Sequence, residues 1–513
     1  MKPLRALSLM IPAIAGAIYG QPCASKPPLG DLSGPAWNGW GADIQNTRFQ
    51  PAKDAGIAPD QINGLKLKWA FGIPDAKSVI GQPTLVAGRV FISGDTHTVY
   101  SLDAATGCVY WSFEAEDDVR NAPTVAAVPG RPGRSSLYFG DVKGNVYSVD
   151  AANGELLWKV TADSHPKARV TASPKFYEGR LYIGVSSLEE VGSTGPAYEC
   201  CKFRGSVLAL DAATGKQIWK TYTIAEPAKP TRKNASGTQL WGPAGGGVWN
   251  SPTIDPKRHV LYVGTGDAYT EPAPKTTDSI LALDLNTGKV LWSVQDLGGD
   301  AWLLGCDATP RPESCPKNMG PDYDFGASPI LKDLPNGRSI LVAGQKSGLV
   351  WAHDPDRKGA VVWKTNTAEQ KPGFTGQIVW GGAADDENAY FGLSSGGVVA
   401  LRLTDGARRW FAPLEPAAGR KAGREAALSL IPGVVLSTGW DGVVHALSSA
   451  DGHVLWEYDT VKPFETVNQT AAKGGSMGGP GPTVAGGMLF IGSGFPGVQN
   501  GIPGNILLAF GVQ

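Results

Sequence analysis

The chain has 513 residues, among them 68 Gly, 39 Pro and 16 Trp, with 42% hydrophobic residues and a formal net charge of −1. That mixture suits many short strands joined by tight turns. The balanced charge and the lack of any run of Lys or Arg exclude nucleic acid as a partner, and no segment beyond the leader reaches the roughly 18 apolar residues of a membrane-spanning helix.

Residues 1–20 carry Lys2 and Arg5, then an apolar stretch from Ala6 to Tyr19 with small residues at Ala15, Gly16, Ala17 and Gly20. This pattern predicts a secretory signal peptide over 1–20, cut between Gly20 and Cys23, with an uncleaved anchor as the alternative. A periplasmic or secreted location follows, with residues 21–513 as a single domain. The six cysteines, Cys23, Cys108, Cys200, Cys201, Cys306 and Cys315, fit an oxidising compartment, in which Cys306 can close a loop with Cys315 and Cys200 can pair with its neighbour Cys201. No Cys-x-x-Cys-His is present, so the sequence has no c-type haem attachment site.

A repeat then runs through the chain. VYSLDAATGCVYW ends at Trp111, VYSVDAANGELLW at Trp158, VLALDAATGKQIW at Trp219 and ILALDLNTGKVLW at Trp292. Weaker copies end at Trp363, Trp410 and Trp456, and in all of them the Trp stands four residues after a Gly. Each copy reads as a strand, a polar turn whose Gly takes positive φ, and a second strand opening on the Trp, which plates the gap between neighbouring sheets. A further pair of strands precedes each copy, as in PTLVAGRVFISGD from Pro83, so each unit is a four-stranded blade. LKLKWAF, containing Trp69, and the terminal NILLAF share an eighth blade and close the ring. The fold expected is all-β: an eight-bladed β-propeller of four-stranded blades with tryptophan-type repeats. The longer intervals between Trp158 and Trp363 place the chemistry between about Ser186 and Lys346.

The opening WNGWGADIQNTRFQP, the Asp-Ala-x-x-Gly-x-x-x-Trp repeats and the strand end Gly264 to Asp267 resemble the quinoprotein alcohol dehydrogenases. YECCKFRGSVLALD, GPDYDFGASPIL and GQKSGLVWAHD are most similar to the polyvinyl-alcohol dehydrogenase branch of that family. The resemblance covers nearly the whole chain after the leader. It implies oxidation of an alcohol, secondary in class with polymeric ones such as polyvinyl alcohol included, by pyrroloquinoline quinone (PQQ) beside a bound cation. That branch often carries a cytochrome c domain, a pattern from which this sequence departs, so an external cytochrome c is the implied electron acceptor.

Asp322 and Asp324 flank one residue, and in an extended strand both would face the same way, sharing space with a cation or a proton. The resemblance implies that Asp322 is the general base and Asp324 an added metal ligand, an offset by two remaining open. It implies further cation ligands in Glu189, with Glu190 as the alternative register, and in Asp267, where the family has Asn. Four acids point to Ca2+, with a lanthanide as the alternative. Trp249 matches the family's floor under the quinone, and Lys346 the cation at the quinone oxygen. Arg120 is a candidate for a cofactor carboxylate, Arg204, which follows the metal-ligating Glu, is a further candidate cofactor contact, and Cys200 with Cys201 either caps the quinone or stiffens a loop. The six scattered His form no triad, and the Gly-rich tracts at Gly245 and Gly474 do not join a strand to a helix, so His-based catalysis and a Rossmann site are not indicated. The competing reading is a non-enzymatic propeller scaffold of the outer-membrane protein assembly type.

Overall fold

The structure is a computed structural model that describes residues 21–367, 377–497 and 500–512. The leader assigned to residues 1–20 lies outside the described residues. Eight antiparallel sheets follow one another around a ring, as expected. Blade 1 holds the strands Thr84–Val86, Arg89–Ser93, Thr98–Asp103 and Val109–Glu114, and blades 2 to 7 repeat that order along the chain. Blade 3 gains a short fifth strand, Ala168–Arg169, paired with Ser186 and Ser187. Blade 8 is the composite: Thr483–Ala485, Met488–Ser493 and Ile506–Gly511 receive Lys66–Gly72 as the outer strand, with Trp69 opposite Ala509. Closure in this way pairs the C-terminal strand Ile506–Gly511 on both sides.

The repeat works between blades. Seven outer-strand Trp residues reach the next blade and cover the turn glycine there, and six of them donate the Nε1 proton to a turn carbonyl. Trp69 donates to Ala104 at 3.0 Å, Trp111 to Ala151 at 3.2 Å, Trp219 to Leu285 at 3.1 Å and Trp363 to Leu403 at 2.8 Å. Gly288, at φ +70, shows why the turn residue is Gly: a Cβ would stand 2.4 Å from Trp219 and in a backbone region costly to other residues. Trp456 faces the composite blade, which lacks that turn, and packs edge-on to Phe510 instead.

A second belt lies inside the ring. Hydroxyls on the innermost strands donate to the proline carbonyl that starts the next blade, as Thr84 does to Pro123, Thr124 to Pro174, Ser429 to Pro482 and finally Thr483 to Pro83. The segment Trp37 to Gln50 then threads past the innermost strands of all eight blades. It bonds Leu85, Val125, Lys175, Ile254, Leu331, Ala384, Leu430 and Val484 in turn. Arg48, wholly buried within it, lies over the rings of Trp37 and Trp40 and bonds Gln82 and Ser429. Among the described residues no helix is long and apolar enough to cross a membrane.

Candidate active site

The segments that lead into the innermost strands line a central cavity of about 530 Å³. Seven of the residues singled out in the sequence meet there: Arg120, Glu190, Trp249, Asp267, Asp322, Asp324 and Lys346. Asp267, Asp322 and Asp324 each offer one oxygen within 4.8 Å of the others. Ligands held at about 2.3–2.6 Å from one hard cation span this distance. Oδ2 of Asp267 is buried and has no hydrogen-bond partner, while its N–H donates to Oδ1 of Asp324 at 2.6 Å. Gly266 permits this approach, since a Cβ there would stand 2.9 Å from the same Asp324 oxygen.

Asp322 and Asp324 do converge, but not by strand alternation. Residues 321–326 are not a strand; Asp322 adopts φ +63, and the N–H groups of Asp322 and Tyr323 donate to the carboxylate of Asp300. Asp tolerates that left-handed conformation better than most residues. Lys346 Nζ donates to Asp322 at 2.6 Å and to Asp324 at 2.7 Å, and its backbone N–H holds the Asp324 carbonyl. Burial opposes charge on Lys346, but Asp324 and Asp322 outweigh it and keep the ammonium protonated well above its usual range. Burial first, then Asp324, pushes Asp322 up to about 7 and Glu190 up to about 8. The same causes hold Asp267 well above the usual carboxylate range. Four crowded carboxyls with one ammonium therefore suit an added cation, which would restore their ionised form.

Trp249 forms a platform beside this cluster. Its indole lies against Gly326, packs edge-on to Trp380 at 5.5 Å between centroids, and has Lys346 Nζ 5.4 Å from its ring centre. Trp40 lies on the other side of the Trp249 layer, where both border a separate cavity of about 30 Å³. Arg120 and Arg169 line the main cavity as a like-charged pair, and burial first, then Arg169, lowers Arg120 to about 10. A flat ring, two guanidinium groups and an oxygen cluster fit a planar polycarboxylate cofactor with a hard cation.

Other expectations are corrected. Glu189 points away from the cavity: its carboxylate accepts the N–H groups of Lys202 and Phe203 and the Tyr198 hydroxyl. The strand ends at Ser187 and a single helical turn, Glu189–Gly192, follows, so it is Glu190 that faces the acids. Arg204 is outside the cavity, stacked on Tyr222 at 3.9 Å and bonded to the carbonyls of Ile224 and Ala225. Cys200 and Cys201 are disulfide-bonded but do not line the cavity; the Cys201 N–H donates to the Trp241 carbonyl and the Trp241 N–H to the Cys200 carbonyl, which pins the pair to the hairpin Lys229–Lys233/Gln239–Gly242. Cys306 pairs with Cys315 as expected, and Cys23 pairs with Cys108.

Sequence reasoning also missed residues. Arg169, Trp380, Glu425, Trp440 and Phe495 line the cavity, four of them outside the interval that held the long insertions. Like Trp249, Trp380 and Trp440 fall outside the repeat, and that signal was available for all three.

A family model described as the glucose/ethanol/alcohol dehydrogenase β-propeller domain, PQQ type, matches residues 37–371, and one for outer membrane protein assembly factor BamB matches 324–435. The chain is 42% identical to a polyvinylalcohol dehydrogenase of a Pseudomonas species over 98% of this chain and 81% of that one. It is 38% identical to a polyvinylalcohol dehydrogenase of Sphingopyxis sp. strain 113P3, over 96% and 79%. The solved quinohemoprotein alcohol dehydrogenase ADHIIG of Pseudomonas putida HK5 superposes with a TM-score of 0.69 at 18% identity, covering 93% of this chain and 80% of that one. At that identity the likeness speaks for the fold alone.

Proposed function

The chain belongs to the family of PQQ-dependent alcohol dehydrogenases, and from that premise we propose that its cavity oxidises a secondary alcohol, polymeric chains such as polyvinyl alcohol included, with Asp322 as the general base. The observation that carries this reading is the convergence of Asp267, Asp322, Asp324 and Lys346 on one cavity beside Trp249. A docking scaffold has no use for such a cluster, and the assembly-factor reading is the weaker one.

When bound, PQQ supplies the two-electron acceptor for the hydrogen on the carbinol carbon. Trp249 would carry its plane, Arg120 and Arg169 its carboxylates, and Glu190, Asp267 and Asp324 the cation. Ca2+ is the first choice; the density of negative charge also suits a lanthanide. Asp322, the more exposed of the two aspartates at 25% against 6%, receives the hydroxyl proton. Lys346 steadies negative charge that develops as the carbon–hydrogen bond breaks. An external acceptor such as a cytochrome c would take up the electrons; the six cysteines are engaged in disulfides. The three disulfides and the Lys2 to Gly20 pattern support export to the periplasm or beyond, with residues 21–513 acting as one propeller domain.

The test is reconstitution. Purified protein mixed with PQQ and Ca2+ is expected to reduce an artificial dye with secondary alcohols; no dye reduction with any alcohol, with either Ca2+ or a lanthanide, refutes the reading.

A further inference from the structure

Asp322 reaches the cavity on a backbone that few residues other than glycine adopt, φ +63, within a segment, 321–326, that belongs to no sheet. Its place therefore has to be fixed by groups outside that segment. Asp324 is held on three sides: its carbonyl accepts the Lys346 N–H, its Oδ1 the Asp267 N–H, and its Oδ2 the Lys346 ammonium. Lys346 also meets the Asp322 carboxylate, but the peptide groups at Asp322 depend on a different side chain. Oδ1 of Asp300 accepts the Asp322 N–H at 3.3 Å, and Oδ2 accepts the Tyr323 N–H at 2.6 Å. One carboxylate thus clasps both of the N–H groups that set the direction of the Asp322 side chain.

Asp300 is itself firmly seated. It is 2% exposed, and its carbonyl accepts the Ala268 N–H at 3.2 Å. The Trp302 N–H donates to the Ala268 carbonyl at 2.8 Å and the Gly320 N–H to the Ala301 carbonyl at 2.9 Å. Residues 300–302 therefore run as a splint between the loop that bears Asp267 and the loop that bears Asp322. Gly320 completes the seat, since a Cβ there would stand 2.0 Å from Oδ1 of Asp300. A carboxylate taken out of water needs donors, and the two N–H groups supply them.

Building on the alcohol-oxidation reading, we propose that Asp300 is a positioning residue for the reaction: its carboxylate keeps Asp322 in the left-handed conformation, in register with the cation ligands Asp267 and Asp324. Asp300 is not among the residues that line the cavity, so it acts through Asp322 alone. A general base must stand within hydrogen-bond reach of the proton it takes, and a displacement of about 1 Å costs on the order of 10²-fold in rate. The bonds that tie residues 300–302 to Ala268 and Gly320 are backbone bonds. Removing the Asp300 carboxylate therefore frees the base and leaves the Asp267 loop in place.

The experiment pairs hydrogen exchange with kinetics. By mass spectrometry of the purified full chain, amides in the segment 320–326 are expected to exchange about tenfold faster or more in Asp300→Ala, with the blade strands unchanged. In the PQQ- and Ca2+-loaded protein, kcat for 2-pentanol is expected to fall roughly 30- to 100-fold in Asp300→Ala and about 3- to 10-fold in Asp300→Asn. The asparagine keeps the volume and one oxygen for the Tyr323 N–H, so it rescues part of the loss and carries both readings if Asp300→Ala does not fold. KM, and Ca2+ affinity from calorimetric titration, are expected to stay within about threefold of the parent, because the Asp267 and Asp324 ligands keep their own partners. Parental exchange in the variants, or a kcat within twofold of the parent in each, overturns the positioning role. So does a Ca2+ affinity that falls as steeply as kcat, the mark of a site that has come apart as a whole. A loaded parent that oxidises no alcohol refutes the oxidation reading and the positioning role with it, whereas an active parent equalled by its variants refutes the positioning role alone.

Discussion

The indole of Trp249 occupies the space above Gly326 in which a side chain would have to stand: a Cβ on residue 326 would lie 1.8 Å from Cη2 of the ring. Gly326→Ala must therefore drive the indole off its seat, an overpacking cost of about 1–3 kcal/mol. If Trp249 is the cofactor platform, the variant binds PQQ about tenfold more weakly or worse, since ~1.4 kcal/mol is a decade in affinity. Fluorescence titration of PQQ measures this, and parental affinity would remove Trp249 from the cofactor site.

Base and ligand can be told apart at the aspartate pair. Asp322→Asn should lower kcat by about 10²- to 10⁴-fold, the usual worth of a general base, with no recovery in excess cation. Asp324→Asn should instead lose activity that high Ca2+ partly returns, because one of several ligands has been removed. Steady-state dye reduction against a Ca2+ series decides. The opposite pattern would transfer the base to Asp324.

Much of the fold was legible because its repeat is chemical. The Gly and the Trp of each copy are two sides of one contact between successive blades, so their spacing declared both the blade and its neighbour. The composite blade was legible for the same reason, from a Trp without a turn and a strand without a Trp. The site was legible only where it hung on segments near the repeat, as for Asp267, Asp322 and Lys346. Glu189 was misassigned because a helical turn begins at that residue and ends the two-residue alternation. Arg204 and the adjacent cysteines were drawn to the site by chain proximity, whereas backbone bonds from Trp241 hold the cysteines in a layer outside it. Trp380, Glu425 and Phe495 come from blades distant in sequence, and only ring closure brings them to Trp249.

The interlock between blades has a measurable cost when it is crowded. Gly288→Ala meets both a left-handed backbone at φ +70 and the Trp219 ring, whereas Gly337→Ala meets a similar φ of +81 with nothing within 4 Å. Backbone strain of this kind costs about 1–3 kcal/mol in either variant. Displacement of a packed ring adds roughly 1–3 kcal/mol in the first alone. Urea unfolding should place Gly288→Ala well below Gly337→Ala; equal midpoints would mean that the Trp contact carries no stability.

Acid should act through His445. Burial, followed by the repulsion of Arg424, lowers this histidine from its ordinary value to about 3, and Glu457, 3.6 Å away, is too exposed to offset it. The unfolded chain therefore binds a proton that the folded one resists. Above pH ~6.5 the residue costs nothing; as pH falls from there toward 3 it destabilises the fold by up to about 1.4 kcal/mol per pH unit. The stability difference between the parent and His445→Gln should change with pH across that window by this slope and stay flat above it. A difference independent of pH from 7 to 4 would contradict a buried neutral imidazole.

The irregular thread from Trp37 to Gln50 sets an order of events. Its partners extend from Leu85 to Val484, so the earliest part of the propeller to leave the ribosome can complete its contacts only after the latest. Until blade 8 exists, the ring is a tube open at both ends, and the thread is the stopper that turns the tube into a cup. Closure of the floor beneath Trp249 thus waits for Val484, and a polypeptide truncated before it would hold Asp322 and Asp324 in a vessel with an unfinished base.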